Sequence, residues 1–163
     1  MARATILMVD DEEPIRKALA RSLRNCDYTL RLAASAQEGL SILQHEPVDI
    51  VISDQMMPKM TGLSFLEIVR DRHPEAIRII LTGYADTSTA VEAINEGEIY
   101  RFLTKPWDDV ELQVTLHLAC DRLELERKNR LLLAALRCHG SYGVAEPEPA
   151  PAVTFVGPVV RSE

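Results

Sequence analysis

Five short apolar runs alternate with segments of helical spacing, and this alternation limits the possible folds more than any other feature of the sequence. The runs occupy residues 5–9, 28–33, 48–53, 77–81 and 99–103. Strands that alternate with helices in this way predict a parallel sheet with helices on both faces. The first, third and fourth runs are apolar almost throughout, as strands covered on both sides are, so we expect them in the middle of the sheet.

Capping signals mark where the helices begin. Ser35 with Glu38 has the spacing of a capping box, Asp86 precedes the fourth helix, and Asp108 with Glu111 opens the fifth. Apolar residues at helical spacing supply the stripes that should face the sheet. These stripes comprise Ile15, Ala18, Leu19 and Leu23 in the first helix, Ala90, Val91 and Ile94 in the fourth, and Leu112, Leu116, Ala119 and Leu123 in the fifth.

The last helical pattern continues to about Leu136, further than a helix that only covers the sheet needs. Beyond residue 122 it is charged but retains several leucines, which predicts either a plain amphipathic extension or a dimerising coiled coil. After Gly140, the run AEPEPAPA at 145–152 is typical of an extended linker. We therefore divide the chain into a domain at 1–122, a helical extension at 123–139, and a Pro-rich linker and tail at 140–163.

Composition and charge narrow the class of protein. The 163 residues include 18 basic and 25 acidic side chains, for a net charge of −7, which argues against direct binding to nucleic acid. The sequence has no apolar stretch of transmembrane length and no signal-peptide layout at its start, so we expect a cytoplasmic protein that does not contact a membrane. Cys26, Cys120 and Cys138 fit neither a disulfide framework nor a zinc site, and we interpret all three as reduced.

Polar side chains follow four of the five predicted strands. The first strand ends at Asp10 and Asp11, the third at Asp54, the fourth at Thr82 and the fifth at Lys105. In an open parallel sheet the functional crevice lies beyond the carboxyl ends of the strands. The sequence therefore predicts one site that contains all of these groups.

Three converging carboxylates repel one another unless a cation neutralises them or one of them is protonated. Oxygen ligands that leave positions for water or phosphate suit Mg²⁺, and Asp10, Asp11, Asp54 and the carbonyl of Met56 could supply them. A carboxylate at such a site can attack phosphorus, and Asp54 is the best placed because it ends a central strand. Mg²⁺ on one side and Lys105 on the other would then neutralise the transferring group.

Four segments carry a family resemblance, which spans about residues 4–122. ILMVDDEEP (6–14), VISDQMMPKMTG (51–62), ILTGYAD (80–86) and FLTKPW (102–107) resemble the receiver domain of two-component response regulators. The resemblance implies a flavodoxin or CheY-like α/β fold with strand order 2-1-3-4-5, Mg²⁺ as cofactor, and a sensor histidine kinase as phosphoryl donor.

Site roles follow from the same resemblance. It implies that Asp54 is the phosphoacceptor, that Asp10 and Asp11 bind the metal, and that Thr82 and Lys105 contact the phosphoryl group. It also implies a signalling domain that catalyses only its own phosphoryl transfer and dephosphorylation. The peptide bond before Pro106 is expected to be cis, and the Pro58 and Gly62 positions match the loop after the phosphoacceptor.

The resemblance also implies a switch, in which the Thr82 hydroxyl moves to the phosphoryl group and an aromatic residue of the fifth strand rotates inward. Several positions should modify it. Phe102 stands where many receivers have tyrosine, and Tyr100 should share its face of the sheet. Met56 and Tyr84 lie at the rim of the predicted site, at positions that tune the rate of aspartyl phosphate hydrolysis in the family. Their bulky side chains predict slow hydrolysis and a long-lived phosphoryl group. The surface of the fourth helix, fifth strand and fifth helix, around Arg101, Phe102 and Trp107, is a usual contact surface in receivers, so we expect a homodimer there or through the long last helix.

The sequences of the four segments look most like those of receivers joined to sigma-54 activators of the hydrogenase-regulator kind or to HD-GYP regulators. A phosphatase of the haloacid dehalogenase kind is disfavoured, because it needs a second Asp where this chain has Met56. The alternative that remains open is a receiver-like module that is never phosphorylated and serves interaction or dimerisation.

Overall fold

The computed structural model describes residues 4–83 and 87–139. Within them, strands and helices alternate along the chain, as the apolar runs predict. The strands are β1 (Ala4–Val9), β2 (Tyr28–Ala33), β3 (Ile50–Asp54), β4 (Ile77–Thr82) and β5 (Arg101–Thr104). The helices are α1 (Glu13–Ser22), α2 (Ala36–His45), α3 (Gly62–Arg72), α4 (Thr87–Asn95) and α5 (Asp109–His139).

All strand pairs are parallel, in the order β2-β1-β3-β4-β5, which confirms the predicted topology. Every residue of β3 is buried, and β1 and β4 each have one partly exposed residue. The edge strands β2 and β5 are more exposed to solvent. The three nearly continuous apolar runs are therefore the central strands, because helices cover them on both faces.

Two apolar clusters pack against the opposite faces of the sheet. The first joins α1 and α5 to alternate residues of the strands, including Ile6, Met8, Ile52, Leu81 and Leu116. The second joins α2, α3 and α4 to the intervening residues, including Leu7, Val9, Val51, Ile80 and Phe65. Successive side chains of a strand point to opposite faces, which is why neighbours in sequence belong to different clusters.

Two of the predicted helix starts are confirmed. The Ser35 hydroxyl accepts a hydrogen bond from the Glu38 amide at 3.2 Å, and the Glu38 carboxylate accepts one from the Ala34 amide at 2.7 Å. The Asp108 carboxylate accepts hydrogen bonds from the amides of residues 110 and 111, both at 2.9 Å. These caps satisfy amides that have no partner inside the helix. The predicted cap at Asp86 lies outside the described residues.

The predicted inward stripes are correct with one exception, in α4. Val91 is 45% exposed, whereas Ala90 and Ala93 are buried. The α4 contact with the sheet thus uses small residues three apart, and Val91 falls on the solvent side. In α5 the predicted stripe is buried at all four positions, Leu112, Leu116, Ala119 and Leu123.

The helix α5 extends to His139, as the long pattern predicted. Contacts divide the chain into a compact unit up to Lys128 and a second unit from Asn129. In the first unit, Arg127 donates to the Asp49 carboxylate, which also accepts a hydrogen bond from the Thr5 amide at 2.7 Å. In the second unit, the leucines at 131, 132, 133 and 136 are exposed. The predicted Pro-rich linker and tail lie outside the described residues.

In the described part of the chain, no helix is long and apolar enough to cross a membrane. Neither Cys26 nor Cys120 forms a disulfide in that part of the chain. The side chain of Cys138 lies outside the described residues.

Candidate functional site

The predicted site residues lie at one edge of the sheet, because parallel strands carry all their carboxyl ends to the same side. Asp10 and Asp11 follow β1, and Asp54 is the last residue of β3. One carboxylate oxygen from each of the three lies within 4.8 Å of the others. Asp10 is fully buried and Asp54 is 4% exposed, whereas Asp11 is exposed. The structure thus brings together the acidic triad expected from the sequence.

Lys105 follows β5 and reaches across the sheet edge into this triad. Its Nζ lies 2.7 Å from Oδ2 of Asp10 and 2.8 Å from Oδ1 of Asp54, and only 18% of its side chain is exposed. Glu12 is more distant, at 3.9 Å. The peptide bond between Lys105 and Pro106 is cis. A lysine therefore bridges the two buried carboxylates and neutralises part of their charge.

Backbone contacts fix Asp10 in place. Its amide donates to the carbonyl of Ala33 at 3.1 Å, and its carboxylate accepts a hydrogen bond from the Glu12 amide at 2.8 Å. Its carbonyl accepts a hydrogen bond from the Arg16 guanidinium at 2.5 Å. The backbone of Asp10 is thus held by β2, and its carboxylate by the amide of Glu12 at the start of α1.

Burial and pairing oppose each other in the pKa values of this site. Burial raises the pKa of Asp10, and the hydrogen bonds from Lys105 and the Glu12 amide offset this only in part. Burial also lowers the pKa of Lys105, but its hydrogen bonds to Asp10 and Asp54 outweigh that effect and raise it overall. Lys105 is therefore charged, because two short contacts with carboxylate oxygens stabilise its ammonium form.

The donor set fits a hard divalent cation. Mg²⁺ binds oxygen at about 2.0–2.1 Å, so two ligands of one ion can lie up to about 4.2 Å apart. The three carboxylate oxygens all lie within 4.8 Å of one another, a bound close to that limit. Lys105 bonds to two of the same carboxylates, so a bound cation would share their negative charge with the ammonium group. Met56, the predicted carbonyl ligand, lies in the loop after β3 with its side chain 69% exposed.

Thr82 completes the polar edge at the end of β4. It is 1% exposed, its hydroxyl donates to the carbonyl of Gly83 at 3.2 Å, and its own carbonyl accepts a hydrogen bond from the Lys105 amide at 2.8 Å. The backbone thus ties the ends of β4 and β5 together. Thr82 follows Leu81, which pairs with Asp54, so its hydroxyl lies on the same edge as the triad.

The loop after Asp54 is closed by backbone contacts. The Gln55 amide donates to the Leu81 carbonyl at 2.9 Å, and the Gly62 amide donates to the Gln55 carbonyl at 3.0 Å. A Cβ on Gly62 would lie 2.1 Å from the carbonyl oxygen of Asp54, so only glycine allows this approach. Lys59, in the same loop, has a φ of 69°. The sequence gives no independent signal for the contribution of Gln55.

The aromatic residues near the site differ from expectation. Phe102 is half-buried in the α2, α3 and α4 cluster, but Tyr100 packs in the α1 and α5 cluster on the other face. The prediction that they share a face is wrong, because Tyr100 precedes β5 and the strand alternation does not reach it. Trp107 also packs on the α1 and α5 side, where its Nε1 donates to the Ser22 hydroxyl at 3.3 Å. Tyr84 lies outside the described residues.

Comparisons with known proteins agree with this geometry. The sequence model of the response regulator receiver domain matches residues 6–117. The hydrogenase transcriptional regulatory protein HoxA of Cupriavidus necator is 37% identical over 124 residues, which cover 76% of this chain and 26% of HoxA. A putative NtrX-like response regulator of Rickettsia felis is 36% identical over 131 residues, covering 79% of this chain and 27% of the relative.

A solved structure extends the comparison. The signal receiver domain of an HD domain-containing protein from Pseudomonas fluorescens Pf-5 matches with a TM-score of 0.73 and 41% identity, over 78% of this chain and 94% of that one. The resemblance to receivers of hydrogenase regulators and HD-type proteins is therefore confirmed. The chain spans about a quarter of the length of the curated relatives it matches.

Proposed function

The chain belongs to the response regulator receiver domain family, and from this premise we propose that it takes a phosphoryl group from a sensor histidine kinase onto Asp54. The observation that carries the proposal is the position of Asp54. Its carboxylate is nearly buried at the end of a central strand, 2.8 Å from the Lys105 ammonium and grouped with Asp10 and Asp11. Such a cluster supplies both a nucleophile and the positive charge needed around a transferring phosphoryl group.

In the proposed step, a carboxylate oxygen of Asp54 forms a bond to phosphorus. The bond between phosphorus and the histidine nitrogen of the kinase breaks, and its electron pair returns to the imidazole. Lys105, which holds Oδ1 of Asp54 from one side, stabilises the negative charge on the phosphoryl oxygens. The rigid end of β3 keeps the attacking oxygen aligned, which lowers the entropic part of the barrier.

A divalent cation completes the proposed site. When bound by Asp10, Asp11 and Asp54, Mg²⁺ would neutralise charge on the phosphoryl oxygens opposite Lys105. The carbonyl of Met56 is the proposed fourth protein ligand. Asp10 is held by backbone contacts on both sides, so it offers its oxygen with little reorganisation.

The proposed switch lies next to the phosphoryl group. The Thr82 hydroxyl exchanges its present bond to the Gly83 carbonyl for one to a phosphoryl oxygen. Phe102, half-buried on the same side of the sheet as α4, follows this movement inward. Together they change the surface of α4, β5 and α5, which contacts an output partner or domain or a second copy of the chain.

We further propose that the chain is a cytoplasmic signalling domain without turnover of an external substrate and without direct contact to nucleic acid. The similarity to transcriptional regulatory proteins such as HoxA supports control of transcription as the output of the whole protein. A homodimer, through the α4, β5 and α5 surface or through the C-terminal helix, is the proposed assembly. Light scattering after size exclusion measures the molar mass that tests this assembly, and a monomer in both phosphorylation states would contradict it.

The rim of the site should slow hydrolysis of the aspartyl phosphate. Met56 is exposed beside Asp54 and apolar, so it hinders the approach of an attacking water and activates none. Tyr84 is assigned the same role by its sequence position. The half-life of the phosphorylated protein, compared with that of a Met56→Asn variant, checks this proposal, and an equal half-life would refute it.

The experiment that tests the proposed function is intact mass spectrometry after incubation with Mg²⁺ and acetyl phosphate. The wild type should gain the mass of one phosphoryl group, and the Asp54→Asn variant should gain none. Asp71→Asn, at a carboxylate that is 68% exposed on α3, is the matched control and should behave as the wild type. If the wild type gains no phosphoryl group from acetyl phosphate or a phosphorylated kinase and does not bind beryllofluoride, the unphosphorylated interaction module is the correct function.

A further inference from the structure

Gln55 follows the phosphoacceptor and forms three hydrogen bonds, one to the end of β4 and two to the first turn of α3. We propose that Gln55 is a positioning residue, whose side-chain amide fixes the loop after Asp54 and so sets the cation affinity and phosphorylation rate of the site. The inference rests on the proposed function, because it concerns how that site is held.

The backbone of Gln55 is held from both sides. Its amide donates to the carbonyl of Leu81 in β4 at 2.9 Å, and its carbonyl accepts a hydrogen bond from the amide of Gly62 in α3 at 3.0 Å. These bonds orient the peptide groups on either side of Gln55. One of them leads to Met56, whose carbonyl is the proposed metal ligand.

The side chain adds a third anchor. Its Oε1 accepts a hydrogen bond from the amide of Leu63 at 3.0 Å. Leu63 is the second residue of α3, so its amide is among the four that have no partner within the helix. The N-cap Thr61 already accepts a hydrogen bond from the Ser64 amide at 3.2 Å. The first turn of α3 is therefore capped once locally and once from the residue beside the phosphoacceptor.

An amide suits this position better than a carboxylate would. The oxygen of glutamine accepts the hydrogen bond from Leu63 without adding charge. A glutamate would accept the same bond but would add a negative charge in the residue next to Asp54, where like charges repel. Glutamine thus supplies the cap and spares the site an additional repulsion.

Loss of the side-chain anchor should affect chemistry more than folding. Without it, the bond from the Gly62 amide is the hydrogen bond that remains between Gln55 and the first turn of α3. Partners that orient metal ligands typically contribute about 10–100-fold to metal affinity or activity. We expect Gln55→Met, which keeps the side-chain length but lacks the acceptor, to weaken Mg²⁺ binding and slow phosphorylation by about tenfold each.

The control separates positioning from helix stability. Thr61→Val removes the other cap of the same helix and leaves Gln55 unchanged. We expect both variants to lower the melting temperature by a similar amount, whereas only Gln55→Met lowers Mg²⁺ affinity and the rate of phosphorylation by acetyl phosphate. Gln55→Glu should restore the protection of the Leu63 amide from hydrogen exchange that Gln55→Met removes.

The experiment measures three quantities on the full chain, namely Leu63 amide exchange, the Mg²⁺ dissociation constant by calorimetry, and the phosphorylation rate. Equal Mg²⁺ affinities and rates for Gln55→Met and Thr61→Val would overturn the proposal and leave Gln55 as a structural cap. Failure of the proposed function is distinguishable, because the wild type would then gain no phosphoryl group. In that case Mg²⁺ affinity and Leu63 exchange still decide whether Gln55 positions the loop.

Discussion

Replacement of Lys105 by methionine should destabilise the protein strongly in the absence of Mg²⁺. Lys105 donates to Asp10 at 2.7 Å and to Asp54 at 2.8 Å, and these carboxylates are 0% and 6% exposed at the side chain. Methionine keeps much of the length of the side chain and removes its charge. The variant therefore leaves two buried carboxylates facing each other without a partner.

The size of the effect follows from burial. Removal of one partner from a buried ion pair costs about 3–5 kcal/mol, because the remaining charge is uncompensated. The edge of the site is open to water at Asp11, so we expect the lower end, about 3 kcal/mol. That is a large part of the roughly 5–15 kcal/mol by which a domain of this kind is stable.

Binding of Mg²⁺ and protonation of Asp10 should each reverse part of this loss of stability. Mg²⁺ at a hundred times its dissociation constant stabilises the folded state by about 2.7 kcal/mol. Burial raises the pKa of Asp10, so its carboxyl favours the folded state when protonated, and that contribution is lost as pH rises through its folded pKa. The destabilisation of Lys105→Met should consequently be smaller at pH 5 than at pH 8.

Urea unfolding with and without Mg²⁺, at both pH values, measures these effects. Lys17→Met is the control, because Lys17 is 68% exposed and pairs with Glu13 on the surface of α1. It should change stability by less than about 1 kcal/mol, and this difference from the wild type should be the same with and without Mg²⁺. Equal unfolding free energies for Lys105→Met and wild type without Mg²⁺ would refute the reasoning, since the lysine would then not neutralise the site.

Four further substitutions test contacts around the site and the core. Thr115→Val should raise stability by about 1 kcal/mol in thermal unfolding, because the buried Thr115 hydroxyl has no hydrogen-bond partner among the described residues; a loss of stability would contradict this. Gly62→Ala should cost about 3 kcal/mol and slow phosphorylation, since its Cβ would lie 2.1 Å from the carbonyl oxygen of Asp54; wild-type stability and rate would refute it. Asp49→Ala should cost about 2 kcal/mol in urea unfolding, because the Asp49 carboxylate also accepts a hydrogen bond from a backbone amide. Arg127→Ala should cost less than about 1 kcal/mol, because Arg127 is 52% exposed. The reverse order would be inconsistent with these contacts.

The sequence was sufficient to predict the fold and the acidic cluster because both depend on simple geometry. Apolar runs separated by helices determine a parallel sheet, and parallel strands bring their carboxyl ends to one edge. Asp10, Asp54 and Lys105 each directly follow or end a strand, so their convergence needs no knowledge of side-chain contacts. The same argument could not give their distances, and it did not show that Lys105 bridges the two buried acids.

Predictions failed where a residue lies outside regular structure or where a stripe is narrow. Tyr100 was assigned to a face by strand alternation, but β5 begins only at Arg101. Val91 was assigned to the core by helical spacing, whereas the α4 contact uses Ala90 and Ala93. Gln55 gave no signal at all, because a cap that acts across an eight-residue separation has no local spacing rule.

The central claim is that Asp54 itself carries the phosphoryl group, and chemical trapping tests it most directly. Borohydride reduces an aspartyl phosphate to homoserine, so the full chain is treated with acetyl phosphate and Mg²⁺, reduced, digested and mapped by tandem mass spectrometry. We predict homoserine at position 54 and unmodified aspartate at positions 10 and 11. Homoserine at another aspartate, or at none while the intact protein carries a phosphoryl group, would contradict the assignment of Asp54 as phosphoacceptor.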